Sequence, residues 1–171
     1  AYTISRHFPD AKSPGDVLAA AVDAQAKLIA QWIGVGFIHG VMNTDNAHIA
    51  GITIDYGPCA FMDGFHPMKV FSSIDHGGRY AFSNQPNIAA WNMAQFATAL
   101  LPLMPNREEA IAHFTEIVNG YGPKFVKAYS ATYAAKLGLP SERAAEIAPT
   151  ADGNDPLLAP LLKMMADTTA D

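Results

Sequence analysis

The strongest constraint on the fold is a helix with both ends written into the sequence, which hands the chain at once to a polar loop. Ser13-Pro14-Gly15-Asp16 supplies an N-cap, a proline at the first helical position and an acid at the third. Val17, Ala21, Ala24, Leu28 and Trp32 then recur at helical spacing, and Gly34 ends the run. Gly36-Phe37-Ile38 leads into the loop His39-Gly-Val-Met-Asn-Thr-Asp45-Asn46. After it, His48-Ile49-Ala50 and Ile52-Thr53-Ile54 read as two short strands hinged at Gly51, the second rich in β-branched residues. Asp55 is therefore expected at a strand end, aimed outward.

Residues 56–87 are dense in Gly, Pro, Ser, Asn and Asp and read as an ordered but irregular segment. Ala89, Met93, Phe96, Leu100 and Leu103 step by four and three, a helix face closed by Pro105. Asn106 with Glu109 marks a further N-cap, and Ile111, Phe114 and Val118 continue that face. Gly120 to Pro123 must break or kink the run. A helix follows from about 124 to 137, stopped by Gly138 with Pro140 beyond it, and a shorter one spans 155–165. The expected class is α+β and mostly helical, with two short strands carrying the ligands and no internal repeat. One domain over 1–171 divides into a lead-in helix (1–33), a catalytic loop and metal-binding strand (34–58), an irregular segment (59–87) and a helical part (88–171).

Composition narrows the function. Half of the 171 residues are apolar and 16% are charged, a globular balance that can bury a core. A net charge of −5, with Lys and Arg scattered, argues against a nucleic-acid groove. No apolar run approaches the roughly 20 residues that span a bilayer. Cys59 is the single cysteine, which forbids an intrachain disulfide and fits a reducing compartment. The first residues, Ala1-Tyr-Thr-Ile-Ser-Arg-His-Phe-Pro9, carry no signal-peptide core, and the chain reads as an excised or incomplete segment. The expected location is intracellular, the bacterial cytoplasm or the mitochondrion.

The chemistry concentrates between His39 and Gly57. Asp45, Asn46 and Asp55 place an acid, an amide and a second acid on neighbouring segments, the set a nucleotide-handling site needs. One carboxylate can take a proton from an attacking hydroxyl, and two oxygen ligands can hold Mg²⁺ against phosphates. His-Gly-x5-Asn followed by Asp-x-Gly is the skeleton used by protein kinases and antibiotic phosphotransferases. There, an Asp two residues after the His accepts the hydroxyl proton. Here that position is Val41, and the acid appears instead at Asp45, immediately before the Asn.

That departure and the wording around it carry a resemblance. Gly36-Phe-Ile-His-Gly-Val-Met-Asn-Thr-Asp-Asn46, Gly51-Ile-Thr-Ile-Asp-Tyr-Gly-Pro58 and Phe61-Met-Asp63 closely resemble the selenoprotein O family, also called YdiU. So do Gly78-Arg-Tyr80, Asn84-Gln-Pro86, Trp91-Asn92, Arg6-His-Phe-Pro9 and Lys136-Leu-Gly-Leu139. The resemblance implies a kinase-like fold that transfers AMP from ATP to Ser, Thr or Tyr hydroxyls of proteins. It implies Asp45 as proton acceptor, and Asn46 and Asp55 as ligands of Mg²⁺ (or Mn²⁺), with Asp55 also near the ATP phosphates. The partners implied are ATP and protein substrates, with neither nucleic acid nor membrane. The family's remaining nucleotide contacts, a glycine loop, a Lys–Glu pair and arginines, belong to an N-terminal lobe. The 38 residues before His39 have no room for them, and the family's C-terminal Cys or selenocysteine motif is absent. The chain thus resembles the C-terminal-lobe portion. Phosphoryl transfer, and an inactive lobe or binding module, stay open as alternatives.

Other residues read as structural. His39 is expected to bond backbone near the loop rather than to react. Arg79 and the Asn84-Gln85-Pro86 turn suit an internal salt bridge and turn better than a substrate-facing surface. Trp91, Met93 and Phe96 are expected in the core. His48, His66, His76 and His113 lack zinc spacing, and Asp152-Gly-Asn-Asp155 reads as a turn.

Overall fold

The Ser13 hydroxyl accepts from the Asp16 N–H at 3.1 Å, while the Asp16 carboxylate accepts from the N–H groups of Ser13 and Lys12, each at 2.9 Å. This reciprocal cap starts the central helix of the computed structural model, which describes residues 1–147 and 157–170. The order is α1 (Tyr2–His7), α2 (Pro14–Gly34), β1 (Phe37–Ile38), β2 (Ala60–Phe61), α3 (Gln85–Leu100), α4 (Arg107–Asn119), α5 (Tyr121–Lys136) and α6 (Leu158–Thr168). Short 3₁₀ turns occur at Thr44–Asn46, Phe82–Asn84, Leu101–Leu103 and Ser141–Glu146.

Helix α2 is buried around most of its circumference. Leu18, Ala21, Val22, Ala26, Ile29 and Ala30 are sealed from solvent, and the alanines let neighbours approach closely. Against it pack α5 most extensively, then α3 and α4. Asn106 caps α4, accepting from the N–H groups of Glu108 and Glu109. The break falls at Gly120 alone, and α5 restarts at Tyr121 with Pro123 in its first turn, where a missing N–H costs nothing. Gly138, at φ +68°, follows the end of α5. Leu158 of α6 is fully buried, and past that helix the Ala170 carbonyl accepts from the Phe65 N–H at 2.9 Å. Among the described residues, no helix is long and apolar enough to cross a membrane.

The class is α+β and mostly helical, but the strands are elsewhere than expected. β1 and β2 pair antiparallel, Phe37 opposite Phe61 and Ile38 opposite Ala60, while 48–54 forms no strand. The physical reason is that 48–54 lies across α2 and finds its partners there. Gln25 Nε2 donates to the His48 carbonyl at 2.7 Å, and Trp32 Nε1 donates to Thr53 Oγ1 at 3.0 Å. The first bond gives a backbone carbonyl the partner that a ladder would otherwise supply, and the second pins the segment to the helix by a side chain. Gly51, at φ +65°, seats this segment: a Cβ there would stand 2.8 Å from the Ala24 carbonyl oxygen.

Two smaller differences appear, and one expectation goes untested. The N-terminal α1 was not expected at all. Met93 is buried and Phe96 half-buried, but Trp91 is 44% exposed and leaves the core. The Asp152–Asp155 cluster lies outside the described residues.

Candidate active site

His39 is the post on which the site is built. It is fully buried, and its Nδ1 accepts from the Val41 N–H at 3.4 Å, which leaves the ring proton on Nε2. That Nε2 donates to the Ile54 carbonyl at 2.8 Å. One imidazole therefore ties the loop that bears Asp45 and Asn46 to the residue before Asp55. The ring packs against Trp32, with centroids 5.4 Å apart, and Phe37 at 6.4 Å, two rings that also touch each other at 5.1 Å. It is structural, as its place beside the loop implies.

Helix α3 holds the same loop from its other side. Gln85 accepts from the His39 N–H at 3.0 Å and donates to the Phe37 carbonyl at 2.9 Å, both fully out of solvent. Asn92 Nδ2 donates to the Met42 carbonyl at 3.1 Å, while its buried Oδ1 has no partner among the described residues. Gly40, at φ +85°, brings the loop onto the turn after Asp55: a Cβ there would meet Pro58 Cγ and its carbonyl oxygen at 3.0 Å. Every backbone group that is fastened this way narrows where the loop's side chains can point.

Asp45 sits in the 3₁₀ turn Thr44–Asn46 and is exposed; Asn46 beside it is half-buried. The Asn46 Nδ2 donates to the Val41 carbonyl at 3.0 Å, which turns the donor end inward and leaves Oδ1 as the end available to a ligand. Asp55 is exposed too, but not at a strand end. Its φ of +54° puts it in the left-handed region, and the Gly57 N–H donates back to its carbonyl at 2.8 Å. Asp is among the few residues that tolerate this conformation, and strained backbone of this kind concentrates at functional sites. Asn46 Oδ1 and the Asp55 carboxylate are hard oxygen donors of the kind Mg²⁺ takes one or two of, the rest of its shell being water and phosphate. Among the described residues, no group of three or more His, Cys, Asp and Glu side chains gathers to hold a metal by itself.

Several residues of this frame are not recognisable as its supports from sequence. Gln85 reads only as part of a structural turn, Asn92 as part of the wording that carries the resemblance, and Trp32 as one more position on a helical stripe. Tyr80, whose hydroxyl donates to Asn43 Oδ1 at the start of the 3₁₀ turn, joins the same group. Arg79 corrects an expectation: among the described residues it enters no salt bridge. Its guanidinium instead lies 4.9 Å from the Trp91 ring centroid and 5.7 Å from that of Tyr80.

Comparison with known proteins places this frame. The sequence profile of one family, described as "Protein adenylyltransferase SelO", matches residues 1–171. The protein nucleotidyltransferase YdiU of Jannaschia sp. is 63% identical over 142 residues, 83% of this chain and 30% of its own length. Those of Ruegeria pomeroyi and Maridesulfovibrio salexigens are 54% and 49% identical over 99% of this chain and 34% of their own. The chain spans about a third of the length of the curated relatives it matches. With a profile that runs from its first residue to its last, the chain belongs to the protein adenylyltransferase SelO family.

Proposed function

We propose that this chain is a kinase-like C-terminal-lobe segment that carries the acceptor and metal-binding half of a protein adenylyltransferase site, acting on ATP and protein substrates. The names of its relatives support nucleotidyl transfer, and their bacterial sources support a cytoplasmic location. The observation that carries the residue assignment is the 2.8 Å bond from His39 to the Ile54 carbonyl, which couples the Asp45-Asn46 turn to Asp55 while both acids face solvent. A substrate Ser, Thr or Tyr hydroxyl oxygen attacks the α-phosphorus of ATP as the bond from that phosphorus to the bridging oxygen breaks. Pyrophosphate leaves, and the hydroxyl proton passes to the Asp45 carboxylate. Asn46 Oδ1 and Asp55 would hold the divalent cation, Mg²⁺ or Mn²⁺, which would supply charge neutralisation for the departing phosphates.

The same ligand set serves γ-phosphoryl transfer, so the two reactions are separated by product. A chimera in which this chain replaces the matching third of the Ruegeria pomeroyi relative, incubated with ATP and analysed by mass spectrometry, is expected to add adenylyl groups to protein hydroxyls. Phosphoryl groups alone would overturn the proposal in favour of a kinase. A binding module without chemistry would add neither.

A further inference from the structure

Beside the Asp45-Asn46 turn stands a cationic shelf that the proposed reaction has not used. Arg79 is exposed and, among the described residues, has no carboxylate within ion-pairing distance. The nearby acid Asp75 is spent on backbone, accepting from the N–H groups of Arg79 and Tyr80, both at 2.8 Å. Asn84 Nδ2 donates to the Arg79 carbonyl at 2.6 Å, so the backbone beneath the side chain is held from two directions. The guanidinium lies over the faces of Trp91 and Tyr80. Such stacking keeps a planar cation flat and pre-ordered while its N–H edge stays open to an acceptor.

Two contacts connect this shelf to the site. The Tyr80 hydroxyl donates to Asn43, which starts the turn bearing Asp45. A hollow of about 330 Å³ has Trp91 and Gln95 on one wall and Thr44 and Ala47 on the other. Trp91 of the shelf and Thr44 of the catalytic turn both line this hollow, so an extended peptide lying in it would touch both. A lone arginine displayed on aromatic rings, in a chain whose net charge is −5, is a poor general anion trap and a good reader of one carboxylate.

We infer that Arg79, stacked on Trp91 and Tyr80, is a substrate-specificity residue that selects protein segments with an Asp or Glu close to the acceptor hydroxyl. The inference rests on the assignment of Asp45 to the acceptor side of the site, but its test needs no transfer chemistry. The full chain is titrated, without nucleotide, into a fluorescein-labelled ten-residue peptide with a central serine flanked by glutamates. Its twin carries glutamine in place of glutamate, and anisotropy is read. The acidic peptide is expected to bind roughly three- to fivefold tighter, the range of a well-oriented exposed ion pair. Arg79→Gln removes that difference, and Arg79→Glu transfers preference to a lysine-flanked peptide. Because the Arg79 side chain is exposed and stacks on rings without an ion pair, both variants should keep the wild-type melting curve. Equal binding of the twins by wild type, or a preference that survives Arg79→Gln, overturns the inference. So does displacement of the peptide by ATP at a concentration that Arg79→Gln raises, which would assign the cation to nucleotide phosphates. A preserved acid preference in a chain whose chimera transfers nothing would remove the adenylyltransferase proposal and leave this surface standing.

Discussion

Replacing His39 with Phe tests the frame of the site with little change in shape. The ring is fully buried against Trp32 and Phe37, and a phenyl group keeps those aromatic contacts. What it removes is polar: the donor to the Ile54 carbonyl at 2.8 Å and the acceptor for the Val41 N–H at 3.4 Å. The first is a short bond whose loss leaves a carbonyl unpaired, about 1–3 kcal/mol; the second is long and adds less, so the sum is about 2–4 kcal/mol. In a domain of this size each kcal/mol shifts the midpoint roughly 2–4 °C, so His39→Phe should melt roughly 4–16 °C lower. Urea unfolding should show a lower midpoint at an unchanged slope, since the same surface is exposed. Hydrogen exchange adds a local reading: the amides of Val41 and Gly57 should lose more protection than that of Met93 in α3. A melting point within about 1 °C of wild type, with no local loss of protection, would refute the claim that this imidazole joins loop to turn.

Three further perturbations follow from the same geometry. In the chimera, Asp55→Asn keeps a residue tolerant of φ +54° but removes the carboxylate, so Mg²⁺-dependent ATP affinity should fall at least about tenfold by calorimetry while the melting point holds. Gly51→Ala forces a Cβ to within 2.8 Å of the Ala24 carbonyl at φ +65° and should cost at least about 2 kcal/mol in urea; Gly77→Ala, which meets nothing within 4 Å, should stay within about 0.5 kcal/mol. Burial pushes the Tyr133 phenol up to about 12 and raises that of Tyr121 as well. The unfolded chain therefore loses these protons near pH 10 while the folded chain retains them. Stability should be intact below pH 10, decline as pH rises through 12, and decline less in Tyr133→Phe, as read by melting across that range.

The helices were legible because their ends are local chemistry. Ser13 and Asp16, Asn106 and Glu109, and Gly138 act within a few residues of themselves, and apolar spacing supplies the rest. The sheet was not legible, since two residues in each strand are too few to show any alternation. The β-branched Ile52-Thr53-Ile54 run misled because its partners, Trp32 for the Thr53 hydroxyl and His39 for the Ile54 carbonyl, lie fifteen or more residues away and outside any strand. Trp91 falls two residues from Ala89 and from Met93, nearly half a turn from the buried stripe, so its exposure follows from the same period that identified the helix. Asp45, Asn46 and Asp55 could be named from spacing and resemblance. His39 could also be read as a backbone-bonding ring beside the loop; the other supports, Gln85 and Asn92, could not, because a buried donor is defined by the distant carbonyl it meets.

The assignment of Asp45 as proton acceptor is tested most directly by Asp45→Asn in the chimera, which keeps side-chain size and removes the base. Single-turnover transfer with saturating ATP should slow by about 10²–10⁴, while the dissociation constant for ATP stays within a factor of about two. Transfer at the wild-type rate, or a loss that tracks weakened nucleotide binding, would contradict that role.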